Sequence, residues 1–382
     1  MRTLKLYIIY FLILIFRTIF MHIIGHRTWI EIDKQALWHN IVQLKACSGS
    51  ASLGIVLKGN AYGHGMLEIA QLAAAHDAID WLFVASSLEA IALVECGIKK
   101  PILAMSYINS DPHEIITHDI AVVVYDLSMA QALGRAAHAL GLRARVHIKV
   151  DTNMSRLGVM LQDLPFFIDQ ISRIAGIYVE GLFTHLSDVN TFDKTFTQEQ
   201  LRLFNKVVSE HKQIPYCHAL GSGALWTTET VQPYDIVRIG TSGYGFWKSD
   251  LQKQRYQQLN ANMSLKAVLS WKTRIAHVSE RSGTELSKIA CIPLGYADGY
   301  PASLAGKARV QVNGQLIPVL DVGPDMMSLD VSTIHNIVCG DVVTLIGDAE
   351  GITATGLAEQ VGTINNEIAT RIHSAIPRFV VD

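Results

Sequence analysis

From about residue 37 to about residue 263, short apolar runs alternate with amphipathic stretches. The runs at 52–57, 81–84, 102–105, 121–124, 145–150, 176–184 and 237–239 predict strands. The intervening segments at 66–76, 87–96, 129–140 and 198–210 repeat apolar positions at three- and four-residue intervals and predict helices. Strand–helix alternation over so long a stretch predicts an α/β fold with parallel strands. The number of units favours a (β/α)8 TIM-like barrel over a doubly wound sheet. Beyond about residue 267 the pattern changes. Segments 268–278, 286–293, 308–313, 315–320 and 341–346 are short, β-rich and bounded by turns such as Asn313-Gly314. The expected organisation is an N-terminal extension (1–25), a barrel (26–266) and a C-terminal all-β domain (267–382).

Composition agrees with two well-packed domains. Of 382 residues, 49% are apolar and 17% charged, which excludes a disordered chain. The formal net charge is −2 and no basic block stands out, so no nucleic-acid partner is expected. Five cysteines are scattered without a CxxC or Cys/His cluster, so no metal site is expected. The adjacent pair Cys217-His218 reads as chance plus burial. Residues 1–5 are basic and 7–16 (YIIYFLILIF) wholly apolar, like the first two parts of a signal peptide or anchor. No small-x-small cleavage site follows, and Met21 is an alternative start. A cytoplasmic protein is expected from the second reading, a membrane-anchored or exported one from the first. Membrane contact is expected only if 7–24 is an anchor.

The most informative segment is IVLKGNAYGHG, 55–65. Lys58 follows a buried strand and precedes a glycine-rich turn with Tyr62 and His64. A lysine kept out of water there titrates low and can form a Schiff base. The stretch resembles the pyridoxal-phosphate lysine motif of the alanine racemase family, VxKAxAYGHG. The resemblance implies that Lys58 carries the cofactor and that Tyr62 contacts its phosphate.

Further motifs carry the resemblance from Thr28 to the C-terminus. HIKVDTNMSRLG, 147–158, is similar to KVDTGMxRLG. There Arg156 would meet the substrate carboxylate, and Lys149, often carbamylated in the family, would hold that arginine. Asn153 stands in place of a glycine, as Asn can where φ is positive. EGLFTHLS, 180–187, resembles EGxxTHF and implies His185 in a chain between the pyridine-facing arginine and the catalytic tyrosine. DIVRIGTSGYG, 235–245, resembles DxVRxGxxxYG. It implies Arg238 at the pyridine nitrogen, with Gly240 and Thr241 at the phosphate. Ser222 matches a phosphate serine, while Gly221 replaces the preceding asparagine. LGYADGYP, 294–301, resembles GYADGY and implies Tyr296 as the second catalytic base, entering the partner subunit's site in a head-to-tail homodimer.

What the resemblance implies is an isomerase that racemises alanine with Lys58 and Tyr296 on opposite faces of Cα, supplying D-amino acid for peptidoglycan. Two departures bear on the substrate. Pro324 replaces a residue whose backbone N–H meets the substrate carboxylate, and proline has none, so the contact is lost or falls to Asp325. Asn366 replaces a tyrosine beside the substrate side chain. Serine or a broader range of small amino acids is therefore an alternative substrate. Three rivals remain: a fold-related decarboxylase, against which Arg238 speaks; a non-catalytic pyridoxal-phosphate carrier, which would lack Tyr296; and a cofactor-binding protein without turnover.

Overall fold

The computed structural model describes residues 26–187, 189, 193–226, 234–247, 253–254, 257–258, 263–281 and 287–382. The candidate extension at 1–25 lies outside the described residues. Among the described residues no helix is long and apolar enough to cross a membrane. The chain forms two compact units. One comprises Asp33–Val268 and Ile364–Thr370; the other comprises residues 26–32 together with Leu269–Thr363 and Arg371–Val381.

Strands are numbered along the chain, and β1 (Thr28–Asp33) lies almost wholly in the second unit. The first unit contains β2 (Ser52–Val56), β3 (Trp81–Ser86), β4 (Ile102–Tyr107), β5 (Ala121–Val124), β6 (Ala144–Asp151), β7 (Val159–Met160), β8 (Ile177–Phe183), β9 (Tyr216–His218) and β10 (Ile236–Ile239). Eight of them run parallel in the order β10-β2-β3-β4-β5-β6-β8-β9, with β7 paired to the end of β6. The ring closes between β9 and β10, where Asp235 N–H donates to Cys217 O (2.9 Å) and Arg238 N–H to Leu220 O (3.0 Å). This is the barrel that the alternation predicts. The very short β9 is the strand the apolar pattern does not reveal.

Strands covered on both faces read as continuous apolar runs, and all four residues of β5 are buried. The helices start at sequence-encoded caps. Asp33 accepts from Ala36 N–H at the head of α1 (Lys34–Ser48), and Ser86 and Glu89 form a reciprocal capping box. β6 departs from the apolar rule. Arg145, His147 and Lys149 alternate with Val146, Ile148 and Val150, so one face of this strand is polar inside the barrel.

The second unit is a nine-stranded sheet. Its order is β12 (His277–Arg281), β13 (Ser287–Ile292), β16 (Met327–Asp330), β15 (Gln315–Val322), β14 (Arg309–Val312), β17 (Val342–Ile346), β11 (Leu269–Arg274), β1 and β18 (Arg378–Val381). Asn313 and Gly314, both at positive φ, make the two-residue turn between β14 and β15. The unit also carries a helix, Ala354–Val361, capped by Thr353. Two segments depart from the expected boundaries. Residues 28–32 pair antiparallel with β11, from Thr28 opposite Thr273 to Ile32 opposite Leu269, and so belong to this sheet. The helix Asn365–Thr370 belongs to the barrel unit instead.

Candidate active site

A cavity of about 230 Å³ opens at the C-terminal ends of the barrel strands. Its wall includes Lys58, Tyr62, Lys149, Arg156, His185, Ser222, Arg238, Gly240, Thr241 and Asn366. All ten belong to the barrel unit. The face is the one on which barrels build their sites.

β2 ends just before Leu57, and Lys58 follows. Gly59, Asn60, Ala61 and Tyr62 then all take φ between 53° and 63°, one left-handed turn. For three non-glycine residues that conformation costs about 1–2 kcal/mol each. Ala61 N–H donates to Leu57 O (2.6 Å), Gly63 N–H to Gly59 O (3.0 Å), and Asn60 Oδ1 accepts from Met66 N–H (2.8 Å). Strain held by such bonds concentrates at functional sites. Lys58 is exposed, not withdrawn from water as the apolar run before it suggests, because strand burial stops at Leu57. Its Nζ lies 5.9 Å from the centre of the Tyr62 ring.

Beside the turn is a cradle of hydroxyls. Burial raises the Tyr62 phenol far above its ordinary range, so it remains a proton donor. Ser222 Oγ accepts from Gly240 N–H at 2.8 Å. Thr241 Oγ1 is buried and without a hydrogen-bond partner among the described residues. A Cβ on Gly240 would lie 2.8 Å from the Tyr62 hydroxyl oxygen, so a larger residue there would push the phenol aside.

Arg238 is buried, and three of its N–H groups are engaged. Nη1 donates to His218 Nδ1 (2.5 Å), and Nη2 donates to Thr184 O (2.8 Å) and Ala219 O (3.1 Å). Burial lowers its pKa to about 10, which still leaves it cationic at neutral pH. Burial, then the charges of Arg156, Arg238 and Lys58, bring Lys149 down to about 8. Burial, then Arg238, Arg156, Lys58 and Lys149, bring His185 down to about 3, so its imidazole is neutral. Arg156 is exposed at the cavity, beyond Asn153, whose φ is 74°. Asp151 Oδ1 fixes this bend by accepting from Met154 N–H (2.8 Å) and Ser155 N–H (3.2 Å). Four cations line the cavity, and no carboxylate appears among its described lining residues.

Tyr296 and Asp325 belong to the second unit, on neighbouring backbone. Tyr296 N–H donates to Gly323 O and Ala297 N–H to Pro324 O, both at 2.9 Å. Tyr296 is 51% exposed, and Asp325 is exposed in the turn between β15 and β16.

Sequence reasoning missed the groups behind Arg238. His218 is not an accident of burial: it is the hydrogen-bond partner of that guanidinium, and it in turn meets His147. The polar alternation at 145, 147 and 149 was the available signal.

Solved structures share this architecture. Alanine racemase of Clostridium difficile 630, in complex with cycloserine, is 28% identical with a TM-score of 0.84, covering 94% of this chain and 96% of that one. Alanine racemase from Bacillus anthracis with bound L-Ala-P is 27% identical with a TM-score of 0.80, covering 94% and 95%. The fold and the site together define an isomerase of the amino-acid racemase class. Residues 32–247 match the model of the alanine racemase N-terminal domain, and residues 258–380 that of its C-terminal domain. Among curated relatives, alanine racemase of Clostridium perfringens (strain ATCC 13124) is 36% identical, covering 92% of this chain and 94% of its own, and that of Methanococcus maripaludis is 33% identical, covering 93% and 99%. The chain belongs to the alanine racemase family. That family is generally pyridoxal-phosphate-dependent, and the residues present fit such a group. The unpartnered Thr241 hydroxyl, the close backbone at Gly240 and the cation-lined wall suit a phosphorylated ligand, with an amine at Lys58 to bind its aldehyde.

Proposed function

We propose that the protein racemises alanine with pyridoxal phosphate, using Lys58 and Tyr296 as bases on the two faces of Cα. The observation that carries this reading is the cavity wall, with four cations and no carboxylate among its described residues. A ligand with both a phosphate and a carboxylate suits it. When bound, the cofactor supplies an electron sink for charge developing at Cα. The chain's own residues do the rest. Tyr62, Ser222 and Thr241, with the Gly240 backbone, hold the phosphate. Arg238 donates toward the ring nitrogen and, staying protonated, does not give its proton up. Arg156 takes the substrate carboxylate; Lys149, once carbamylated, would exchange its positive charge for a carboxylate that directs Arg156, leaving three cations on the wall. His185, kept neutral, links the arginine side of the site to the tyrosine. Removal of a proton by one base and delivery by the other inverts the centre.

The proposal extends to organisation. The barrel domain carries Lys58, the C-terminal domain carries Tyr296, and each Tyr296 serves the partner's site in a homodimer. The product would be D-alanine for peptidoglycan. A second reading, serine or a broader range, is favoured by Asn366 in the cavity wall and by the missing N–H at Pro324. An amide there adds donors and acceptors suited to a hydroxymethyl group.

The test is chiral chromatography of products from L-alanine and from L-serine, incubated separately with the protein and pyridoxal phosphate. Faster alanine turnover supports the first reading, and comparable or faster serine turnover the second. Cofactor absorbance without turnover of either would replace both with a non-catalytic cofactor-binding protein.

A further inference from the structure

Arg238 is buried, yet its identified hydrogen bonds go to two carbonyls and an imidazole, not to a carboxylate. A buried guanidinium without a counter-charge is costly. Its counter-charge is reached through two side chains. His218 Nε2 lies 3.0 Å from His147 Nδ1, and His147 Nε2 lies 3.2 Å from Glu180 Oε2. Both imidazoles are wholly buried. Glu180 is closed on its other side by Arg145, whose Nε donates to both carboxylate oxygens at 3.1 and 3.2 Å. Arg145 reaches on to Asp119 Oδ2 at 3.1 Å.

The ends of this chain fix its middle. Arginine can only donate, so His218 Nδ1 must be the bare nitrogen and His218 Nε2 must carry the proton. That N–H faces His147 Nδ1, which must also be bare, so the His147 proton is on Nε2. It points at an ionised carboxylate, which can only accept. Any other distribution, including a doubly protonated ring, sets donor against donor. Burial keeps both imidazoles neutral, since it lowers the pKa of each. The hydrogen bonds from His147 and Arg145 overcome the burial of Glu180 and keep it ionised.

The backbone is shaped for this arrangement. The β6–β8 register slips between Val146 and His147, which leaves Glu180 unpaired in the ladder and aimed at His147. Opposite His147 is Gly181, where a Cβ would lie 2.2 Å from His147 Nδ1. Phe183 stacks on His218 at 4.8 Å and 1°, and Tyr216 lies parallel to His147 at 6.5 Å, so neither ring can turn over freely.

We infer that Glu180 is the remote counter-anion and positioning residue of Arg238, acting through His218 and His147 held as one-way donors with Nδ1 bare and Nε2 protonated. Its catalytic consequence rests on the reading that Arg238 faces the cofactor ring; the protonation pattern itself does not.

The experiment is nitrogen NMR of the full chain labelled with ¹⁵N-histidine, with and without pyridoxal phosphate, alongside steady-state kinetics. In the unaltered protein both buried histidines should show bare Nδ1 and protonated Nε2. In Glu180→Gln both tautomers should persist, because Arg238 sets them from the other end of the chain and the amide oxygen can still accept from His147 Nε2–H, while the charge that balances Arg238 is gone. The kcat should fall about tenfold while KM changes less than about twofold. Glu180→Asp, which returns the negative charge, should restore part of kcat. Protonated Nδ1 on either ring of the unaltered protein overturns the inference, whether or not the variants fold. So does an unchanged kcat in a folded Glu180→Gln. Absence of racemisation in the unaltered protein would sink the functional reading while leaving the protonation test intact.

Discussion

The barrel wall and the tyrosine turn of the second unit hold their reactive groups in opposite ways. Lys58 follows a buried strand and leads into a left-handed turn, with a hydrogen-bonded interior behind the cavity. Tyr296 is half exposed on a short turn that two backbone bonds tie to Gly323 and Pro324. The first arrangement sets a chemical environment through burial and charge. The second fixes little beyond position, so its side chain depends on what it meets for its chemistry. If the two proposed bases differ this way, altering each should fail differently.

The largest effect is expected from Lys58→Ala, which should abolish both the visible absorbance of bound pyridoxal phosphate and all turnover. Retained absorbance would mean that another amine holds the cofactor. Next, Tyr296→Phe should keep the absorbance and slow conversion of L-alanine by roughly 10²- to 10⁴-fold. An unchanged rate would remove Tyr296 from the two-base scheme. Co-refolding these two variants sharpens the contrast. If sites are shared between subunits, half the dimers are mixed and each has one intact site, so about a quarter of full activity returns. No recovery argues that each chain completes its own site.

A smaller change is expected at Asn366→Tyr, which should move the serine-to-alanine ratio of kcat/KM toward alanine by roughly tenfold. A constant ratio would show that this wall does not sort substrates. The mildest effect concerns stability. His185 titrates at about 3 in the folded chain, below the ordinary 6.5. The unfolded chain therefore takes up that proton first. The contribution is complete above about pH 6.5 and drains away as pH falls toward 3, by up to about 1.4 kcal/mol per pH unit. His185→Gln should flatten the decline of Tm across that window. Parallel curves for the two proteins would contradict a histidine held neutral by burial and by its cationic neighbours.

The strand–helix alternation was legible because barrel strands such as β5 are buried on both faces, which leaves an apolar run that no polar position interrupts. Tyr216–His218 left no such trace, being three residues long with a polar one at its end. The cavity-wall residues were legible through separated motifs. The left-handed turn was not, since Asn60, Ala61 and Tyr62 have no common preference for positive φ and are held there by hydrogen bonds within the segment 57–66. Glu180 was seen as part of a motif but not as a partner, because its aim at His147 depends on a register slip that only strand pairing creates. The polarity of β6 could have been read as an interior face once the barrel was accepted.

The placement of β1 bears on how the protein is made. Its sheet partner β11 begins at Leu269, more than two hundred residues later in the chain. A ribosome working at typical speed needs roughly 10 to 50 s to cover that distance. Through that interval the emerged β1 has neither of its native neighbours, β11 and β18. The barrel, in turn, waits for the helix Asn365–Thr370, which is translated near the end. Neither unit can be finished before the other is largely synthesised, so a nascent chain stalled midway would be a natural client for chaperones that shield strand edges.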